Sequence, residues 1–426
     1  MRHTIFAFLI LSCAFGAHAQ KGGPTVDSSG RATFVYVNKN ADRVQLKGSF
    51  IPKSMTIKTP MGSLGGRAQT YDMLQSDDGV WTYTTEPLPS EMYTYQFVID
   101  DEPIADPANP NFVRDMKDTL SYFLVDGDVA KYYIERDVPH GKVEYVWYPS
   151  SMNGMNQRRM TVYTPAVYDD SPQESFPVLY LLHGSGGDET SWTGIGRAAQ
   201  ILDNMIATGA IPPIIVVMPN GNVHFDAAPG ESPYQDNEPM GINIKSMLGK
   251  IEHAFVPEVV GYAEQHYRIR QSRAARAIAG LSLGGLHTIY ISANSPRTFG
   301  YVGLFSAQTT NMISTVEANA IERLRSATLE LLGMVGIKPG EKLDDFSHID
   351  VYEDFEEKLA EQFEAEPYLY YIAVGNEDFV LRLNDDFRRK LDENNYPYVY
   401  HPTDGGHTWE NWRKYLVDFL PRLFKN

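Results

Sequence analysis

Short segments of alternating hydrophobic and polar residues run through the first part of the chain, from residue 31 to about residue 125. Examples are residues 32–37 (ATFVYV), 80–83 (VWTY) and 93–99 (YTYQFVI). Alternation with a period of two places the hydrophobic side chains on one face of a strand, and the Gly, Asp and Pro residues between the segments favour turns. The pattern therefore predicts a small all-β sandwich.

Beyond residue 145 the hydrophobic residues form continuous runs instead. Residues 178–182 (VLYLL), 214–218 (IIVVM) and 275–279 (ARAIA) alternate with helical stretches such as 195–207 and 252–266. Strands that are hydrophobic on both faces and separated by helices are typical of a parallel sheet covered on both sides. We expect the boundary between Asp126 and Asp137, which predicts a β-module at residues 25–128 and an α/β domain at residues 132–426.

The first nineteen residues have the pattern of an export signal. Arg2 and His3 precede a hydrophobic run, and Ala17 and Ala19 are the small residues expected before a cleavage site. We therefore predict a signal peptide at residues 1–19 and a periplasmic or secreted protein. In a second interpretation the signal is that of a lipoprotein, with Cys13 carrying the lipid that anchors an outer-membrane form.

Charge and cysteine content limit the partners that the protein can bind and the kind of nucleophile that it can use. The chain has 37 Lys and Arg residues against 54 Asp and Glu residues, a net charge of −17, which disfavours nucleic acid and anionic lipid as partners. No stretch of 18 hydrophobic residues follows the signal, so no membrane span is predicted. The single cysteine, Cys13, lies inside the predicted signal. A nucleophile in the mature chain would therefore be an oxygen rather than a thiol.

One pentapeptide carries a candidate nucleophile. Residues 280–284 (GLSLG) match G-x-S-x-G between a hydrophobic run that predicts a strand and a run from residue 286 to residue 293 that predicts a helix. In this context the serine lies on a strained turn at the carboxyl edge of the sheet, with its hydroxyl exposed. We therefore predict that Ser282 is the nucleophile of a serine hydrolase.

A serine nucleophile needs a base and an acid that orients the base, and in this type of fold they follow it in the order acid, then histidine. His407 lies in a Gly-rich loop between a predicted strand and the terminal helix, whereas His401, His348 and His287 are expected to be structural. For the acid, the loop after the predicted strand at residues 368–374 offers Asp378 as first choice. The alternatives are Glu377 and then Asp404.

Two backbone N–H groups should form an oxyanion hole. One is expected from Leu283, directly after the nucleophile, and the other from residues 183–187 (HGSGG), which follow an early central strand. In that loop Ser185 is favoured, with Gly184 or Gly186 as alternatives. The other histidines lack the HExxH motif or the paired spacing of a zinc site, so no metal and no cofactor are expected.

These motifs together resemble the first family of carbohydrate esterases. The similarity runs from about residue 145 to the C-terminus, and it is carried by five segments: 163–165 (YTP), 177–184 (PVLYLLHG), 280–285 (GLSLGG), 375–378 (GNED) and 405–407 (GGH). The family contains feruloyl and acetyl xylan esterases and is related to esterase D and to mycolyltransferases. The resemblance implies an α/β-hydrolase fold and hydrolysis of ferulate or acetate esters on arabinoxylan.

The N-terminal module resembles the immunoglobulin-like early-set domains that precede isoamylase and branching-enzyme catalytic domains. The matching segments are 40–50 (NADRVQLKGSF), 79–81 (GVW), 93–100 (YTYQFVID) and 106–110 (DPANP). The resemblance implies an all-β sandwich that either binds glycan, as a carbohydrate-binding module does, or packs against the enzyme and steadies it. An early-set module ahead of such an esterase resembles secreted bacterial enzymes that degrade hemicellulose.

Aromatic residues and insertions are the candidates for substrate choice. Trp192, Tyr234 and Trp409 are candidates for stacking on a ferulate ring or a sugar, and the segments 225–249 and 311–366 are insertions that could wall the pocket. The leading hypothesis is an exported feruloyl esterase acting on plant cell-wall polysaccharide or its oligosaccharides. The alternatives are an acetyl xylan esterase, a mycolyl-type acyltransferase and a carbohydrate-binding protein without activity.

Overall fold

The computed structural model describes residues 22–51, 57–59, 62–64, 69–152, 156–222, 249–309 and 350–425. The predicted signal at residues 1–19 with Cys13, the candidate Tyr234 and most of the two predicted insertions lie outside these residues. The described residues form an all-β sandwich followed by an α/β domain, so the predicted fold class is confirmed.

The sandwich consists of two antiparallel sheets and a short hairpin. Its first sheet has the order β1-β2-β8-β7, its second has the order β11-β12-β9-β3-β6 with β10 added to β9, and β4 pairs with β5. The strands are β1 Thr25–Val26, β2 Ala32–Val37, β3 Val44–Gly48, β4 Ile57–Thr59, β5 Gly62–Leu64, β6 Tyr71–Asp72, β7 Leu74–Gln75, β8 Val80–Thr84, β9 Glu91–Ile99, β10 Glu102–Ile104, β11 Phe112–Asp115 and β12 Asp118–Val125.

An aromatic core holds the two sheets of the sandwich together. Phe34 packs edge-on against Tyr95 and Phe123, at ring-centroid distances of 4.9 and 5.5 Å. Trp81 is buried, and its Nε1–H donates to the Asn38 carbonyl oxygen over 2.8 Å. Trp81 is therefore a core residue of the sandwich.

The α/β domain is built on an eight-stranded sheet with the order β13-β14-β16-β15-β17-β18-β19-β20. The first two strands run antiparallel to their neighbours, and the pairs from β16 to β20 are parallel. The strands are β13 Lys142–Pro149, β14 Gln157–Thr164, β15 Val178–Leu182, β16 Ile215–Pro219, β17 Arg276–Leu281, β18 Tyr301–Phe305, β19 Leu369–Gly375 and β20 Val399–Thr403.

Helices cover both faces of this sheet. They are α1 Ala198–Ala207, α2 Lys250–Ala254, α3 Gly261–His266, α4 Leu283–Asn294, α5 Phe355–Glu364, α6 Leu381–Glu393 and α7 Trp409–Phe419, with a π-helical turn, Phe255–Val260, between α2 and α3. Short 3₁₀ turns lie at Ala130–Tyr132, Ala166–Tyr168, Arg273–Ala275, Asp350–Tyr352 and Leu420–Arg422. None of the helices among the described residues is long and hydrophobic enough to cross a membrane.

Alternate residues of each central strand enter different cores. In β15, Tyr180 packs with Phe255 and Ile289 on one face of the sheet, whereas Leu179 packs with Ile201 and Phe419 on the other. Because both faces are buried, all five residues of β15 are hydrophobic. This explains why the sequence shows continuous runs here instead of alternation.

The sandwich and the segment that links it to the α/β domain share the second of these cores. Met92, Val113 and Tyr133 belong to the same buried cluster as α1 and α7. A buried ion pair crosses the same interface, because Arg413 Nη2 donates to Glu91 Oε1 over 2.9 Å. The two parts of the protein therefore pack through a continuous hydrophobic core.

Candidate active site

The candidate nucleophile lies where β17 ends and α4 begins. Ser282 has φ 52° and ψ −118°, a conformation that residues with a side chain rarely adopt. Its backbone N–H donates to the Phe305 carbonyl oxygen over 3.0 Å. A Cβ atom at Gly280 would lie 2.1 Å from the Gly284 carbonyl oxygen. Glycine is therefore required at that position for the strand and the helix to approach so closely.

The structure brings three of the predicted residues together in one chain of hydrogen bonds. His407 Nε2 lies 2.9 Å from Ser282 Oγ, and His407 Nδ1 lies 2.9 and 3.1 Å from the two oxygens of Asp378. The Asp378 side chain is fully buried, and the His407 side chain is 15% exposed. When Nδ1 carries the ring proton and hydrogen-bonds to Asp378, Nε2 is unprotonated and can accept the proton of the serine hydroxyl.

The other candidate acids lie elsewhere. Glu377 is exposed, and Asp404 accepts a hydrogen bond from Asn376 Nδ2 over 2.8 Å. Asp378 Oδ1 also accepts the Val380 backbone N–H over 3.0 Å, which fixes the carboxylate. Asp378 is therefore the carboxylate that the structure places at His407.

Aromatic rings and a tight turn hold the His407 imidazole. The Phe379 and Trp412 rings lie 4.4 and 5.0 Å from the His407 ring, measured between centroids. Gly405 has φ 86°, and its carbonyl oxygen lies 2.1 Å from the position that a Cβ at Gly375 would take. The paired loops after β19 and β20 can therefore approach only because glycine occupies both positions.

Among the other histidines considered in the sequence, two have structural partners and one is not described. His287 is buried in α4, and its Nδ1 lies 2.7 Å from Glu252 Oε1, which also accepts the Tyr352 hydroxyl over 2.7 Å. His401 Nδ1 lies 3.5 Å from Asp418. His348 lies outside the described residues. The buried Glu252 partner of His287 was not anticipated from the sequence, because the two residues are 35 positions apart.

The glycine-rich loop after β15 passes directly beside the nucleophile. A Cβ atom at Gly184 would lie 3.1 Å from Ser282 Cβ, and Ser185 is half-buried. Leu283 is the first residue of α4, where a backbone N–H has no acceptor inside the helix. The loop and the start of this helix thus border the same space above Ser282.

His183 anchors this loop, a role that the sequence analysis missed. Its Nδ1–H donates to the Gly184 carbonyl oxygen over 2.8 Å, and its Nε2 accepts the Gly221 backbone N–H over 2.9 Å. Burial lowers the pKa of His183 to about 4, which keeps the ring neutral. A histidine directly before the glycine turn is the one local signal that could have indicated this anchor.

Two of the aromatic residues that were candidates for stacking on the substrate, Trp192 and Trp409, are buried. Trp192 is 1% exposed, its Nε1–H donates to the Leu182 carbonyl oxygen over 3.0 Å, and its ring packs edge-on against Trp409. A ring so enclosed presents no face to a substrate, so Trp192 is a packing residue. Trp409 is also buried and packs edge-on against Trp412, which contacts His407. Trp409 therefore supports the histidine loop from behind.

The strand order, the strained serine and the hydrogen bonds to His407 and Asp378 define an α/β-hydrolase. The chain belongs to the esterase family, because the family model described as "Putative esterase" matches residues 151–423. The resemblance to carbohydrate esterases predicted from the motifs is thus confirmed at the level of the family.

Three known proteins illustrate the similarity. The endo-1,4-beta-xylanase/feruloyl esterase of Xylanibacter ruminicola is 33% identical over 291 residues, which cover 67% of this chain and 36% of the relative. The acetyl esterase of Caldicellulosiruptor saccharolyticus is 24% identical over 259 residues, 60% of this chain and 86% of the relative. The structure of the enterobactin esterase of Shigella flexneri has 15% identity and a TM-score of 0.58, with 93% of each chain covered.

These comparisons differ in what they establish. The chain spans about a third of the length of the Xylanibacter protein, 36%. The Shigella structure, at 15% identity, shares the fold alone, and its coverage of 93% of this chain includes the region of the sandwich as well as the hydrolase. The assignment to the esterase family therefore rests on the family model that matches residues 151–423.

Proposed function

We propose that the protein is a serine esterase that hydrolyses hydroxycinnamoyl esters, feruloyl esters in particular, on arabinoxylan or related hemicellulose. The observation that carries the reaction is the hydrogen-bonded series of Ser282, His407 and Asp378 on a strained elbow. Membership of the esterase family and the feruloyl esterase named among the relatives support the choice of ester and acyl group.

In the proposed reaction, Ser282 is the nucleophile, His407 the base and Asp378 the orienting acid. His407 Nε2 takes the proton of Ser282 as Oγ attacks the ester carbonyl carbon. The carbonyl oxygen takes the electron pair of the double bond and becomes an oxyanion. When the oxyanion collapses, the ester C–O bond breaks and the imidazolium gives its proton to the departing sugar oxygen, which leaves as a hydroxyl. Water repeats the cycle on the acyl-enzyme and releases the acid. Asp378 keeps the tautomer and stabilises the imidazolium without taking the proton.

The proposed oxyanion hole consists of the backbone N–H groups of Leu283 and Ser185. The proximity of Gly184 to Ser282 and the position of Leu283 at the start of α4 support this assignment. Gly184 and Gly186 remain the alternatives for the second donor. Donors that are fixed in place before the reaction stabilise the developing charge, and loss of one typically costs about 3 kcal/mol in the transition state.

A fluorophosphonate probe tests the reaction class. We expect the probe to label Ser282 in the wild-type protein and to leave Ser282→Ala unlabelled, because the probe reacts with an activated serine. A folded wild-type protein that remains unlabelled would contradict the serine-hydrolase proposal.

A release experiment on arabinoxylan tests the substrate. The purified protein is expected to release ferulate, measured by chromatography, and Ser282→Ala provides the blank. The acetyl esterase among the relatives makes acetyl xylan the second candidate substrate. Release of acetate without ferulate would replace the feruloyl proposal with that one.

We also propose that the protein is exported, on the pattern of residues 1–19. Fractionation of cells that produce the full chain is the direct test. Protein that remains in the cytoplasm with residues 1–19 uncleaved would contradict export, whereas recovery in the outer membrane with lipid on Cys13 would support the lipoprotein form.

A further inference from the structure

The sandwich extends one hairpin to the loops that surround Ser282. Strands β11 and β12 pair from Phe112–Ser121 to Asp115–Asp118, so Met116 and Lys117 alone form the turn. Met116 has φ 52°, in the left-handed region that residues with a side chain seldom adopt. A strained backbone conformation of this kind persists only where surrounding contacts hold it in place.

The hairpin contacts the glycine-rich loop after β15 through two side chains. Arg114 forms an ion pair with Asp188, whose side chain is 1% exposed. The Met116 thioether lies on Gly186, where an added Cβ would approach Met116 Cε to 2.7 Å and Sδ to 3.4 Å. Arg114 Nη1 also donates to the Met116 carbonyl oxygen over 3.2 Å, which ties the two contacts together.

Asp188 determines the shape of the loop at its far end. Its Oδ1 accepts the backbone N–H and the hydroxyl of Thr190, over 2.8 and 2.6 Å, and its own N–H donates to Ser191 Oγ over 2.9 Å. The guanidinium of Arg114 contacts the second carboxylate oxygen. Because a buried carboxylate is costly without a cation, the loop depends on a charge that the sandwich supplies.

The same hairpin contacts the loop that carries His407. The indole N–H of Trp409, two residues after His407, lies 3.4 Å from Asp115 Oδ1. Arg114, Asp115 and Met116 are consecutive, so one turn of the sandwich contacts loops on both sides of the nucleophile. A stiff two-residue turn between paired strands is suited to holding these loops at a constant spacing.

We propose that Arg114 and Met116 are positioning residues of the oxyanion hole. Through them the sandwich holds the loop that supplies one of the oxyanion-hole donors. This inference rests on the oxyanion hole proposed above. Donors in the loop at residues 184–186 must lie within a fraction of an ångström of the developing charge, and a misplacement of 1 Å can cost about 100-fold in rate. The hairpin supplies the outer contact that keeps the loop in that place.

The test compares variants of the full chain on p-nitrophenyl acetate, with kcat calculated per site that a fluorophosphonate titrates. Arg114→Met keeps the length of the side chain and removes its charge. We expect kcat to fall about 10- to 100-fold with KM within about twofold, because the transition state loses more than the bound ester does. Arg114→Lys restores the charge and should recover a large part of kcat.

Two further variants separate positioning from folding. Met116→Ala removes the contact with Gly186 and should lower kcat by about 3- to 10-fold. Arg43→Met is the matched control, because Arg43 pairs with Asp72 on the exposed surface of the same sandwich. It should retain wild-type kcat and KM. Melting temperatures measured on the same samples report the fold.

Each outcome distinguishes the inference from the proposed function. If the wild-type Ser282 is not labelled, the serine-hydrolase proposal fails and the inference fails with it. If the wild type is labelled and Arg114→Met keeps its kcat per titrated site, the inference alone is overturned. A rise in KM at constant kcat would also overturn it, since that result indicates contact with the substrate rather than positioning of the loop.

Discussion

Ser282 has a strained backbone conformation, and in this conformation its hydroxyl reaches His407. The φ of 52° is compatible with the fold because Gly280 and Gly284 leave room for the strand and the helix to close around the turn. The serine hydroxyl and the imidazole then lie 2.9 Å apart although they are 125 residues apart in the chain. The chemistry therefore depends on geometry that no local residue preference supplies.

The acid gives the first prediction at this scale. Asp378→Asn should keep the shape of the site but lower kcat by about 10⁴-fold, because an amide no longer holds His407 in the tautomer with its proton on Nδ1. Steady-state kinetics on p-nitrophenyl acetate, with a thermal melt as the check on folding, measure the effect. Asp404→Asn is the matched control and should behave as the wild type. Equal losses in the two variants would contradict the assignment of the acid.

His183 gives a prediction on pH. Its pKa in the folded protein is about 4, lowered by burial, against 6.5 in the unfolded chain, so the unfolded chain binds the proton more tightly. The stability that this difference contributes is complete above pH 6.5 and is lost as the pH falls from 6.5 to 4. Between pH 7 and pH 5 the loss from this residue should be about 2 kcal/mol.

Urea unfolding at the two pH values measures that loss. His183→Gln lacks the titrating ring, so its stability should fall less between pH 7 and pH 5 than that of the wild type. The difference between the two proteins isolates His183 from the carboxylates that also titrate in this range. Parallel pH dependence in both proteins would contradict the role of a buried neutral imidazole.

Among the elements, the loop after β15 and helix α4 illustrate how closely backbone must approach backbone around the site. A Cβ at Gly284 would lie 2.3 Å from the His183 carbonyl oxygen and 2.8 Å from that of Leu182. Neither neighbour is a flexible side chain that could move aside. The spacing between the end of β15, with the first residue after it, and the helix that follows Ser282 therefore requires glycine at this position.

Gly284→Ala should destabilise the protein by about 1–3 kcal/mol and displace the loop at residues 183–187. Urea unfolding measures the first effect, and the rate of reaction with the fluorophosphonate measures the second. Gly261→Ala is the control, because Gly261 lies in a helix and, beyond the neighbouring backbone of that helix, the nearest atom to its added Cβ is 3.8 Å away. It should be neutral or stabilising by up to about 1 kcal/mol. Equal destabilisation of both would contradict the steric argument.

At the scale of the whole molecule, the two parts of the protein share one core and one buried ion pair. Arg413 contacts Glu91 of the sandwich, and its Nη1 also donates to the Ile195 carbonyl oxygen over 2.8 Å. Both side chains of the pair are nearly inaccessible, 1% and 6% exposed. A contact of this kind links the folding of the sandwich to that of the hydrolase.

Removal of one partner tests this link. Glu91→Ala leaves the guanidinium buried without its carboxylate and should cost about 3–5 kcal/mol. Glu86→Ala breaks the exposed pair with Arg31 and should leave the stability close to that of the wild type. Urea unfolding followed by tryptophan fluorescence measures both. A small effect of Glu91→Ala would indicate that the pair is hydrated or that the interface separates easily.

The sequence by itself determined the kinds of structure present. Alternating hydrophobic residues indicated the sandwich, because a strand buried on one face is hydrophobic at every second position. Continuous hydrophobic runs indicated the parallel sheet, because its strands are buried on both faces. Residues 280–284 indicated a strained serine between a strand and a helix, since the G-x-S-x-G pattern at such a junction is typical of a nucleophile turn. These inferences depend on neighbours in sequence, which explains why they could be made without the structure.

Only the tertiary structure decided which distant residues meet. It placed Asp378 rather than Glu377 or Asp404 at His407, enclosed Trp192 in the core, and brought Arg114 and Met116 of the sandwich onto the loop beside Ser282. Each of these contacts joins separate elements, so their packing determines it and the local pattern does not record it. For this reason the motifs indicated the candidate catalytic groups, whereas the contacts of the sandwich with the loops around them were not visible in the sequence.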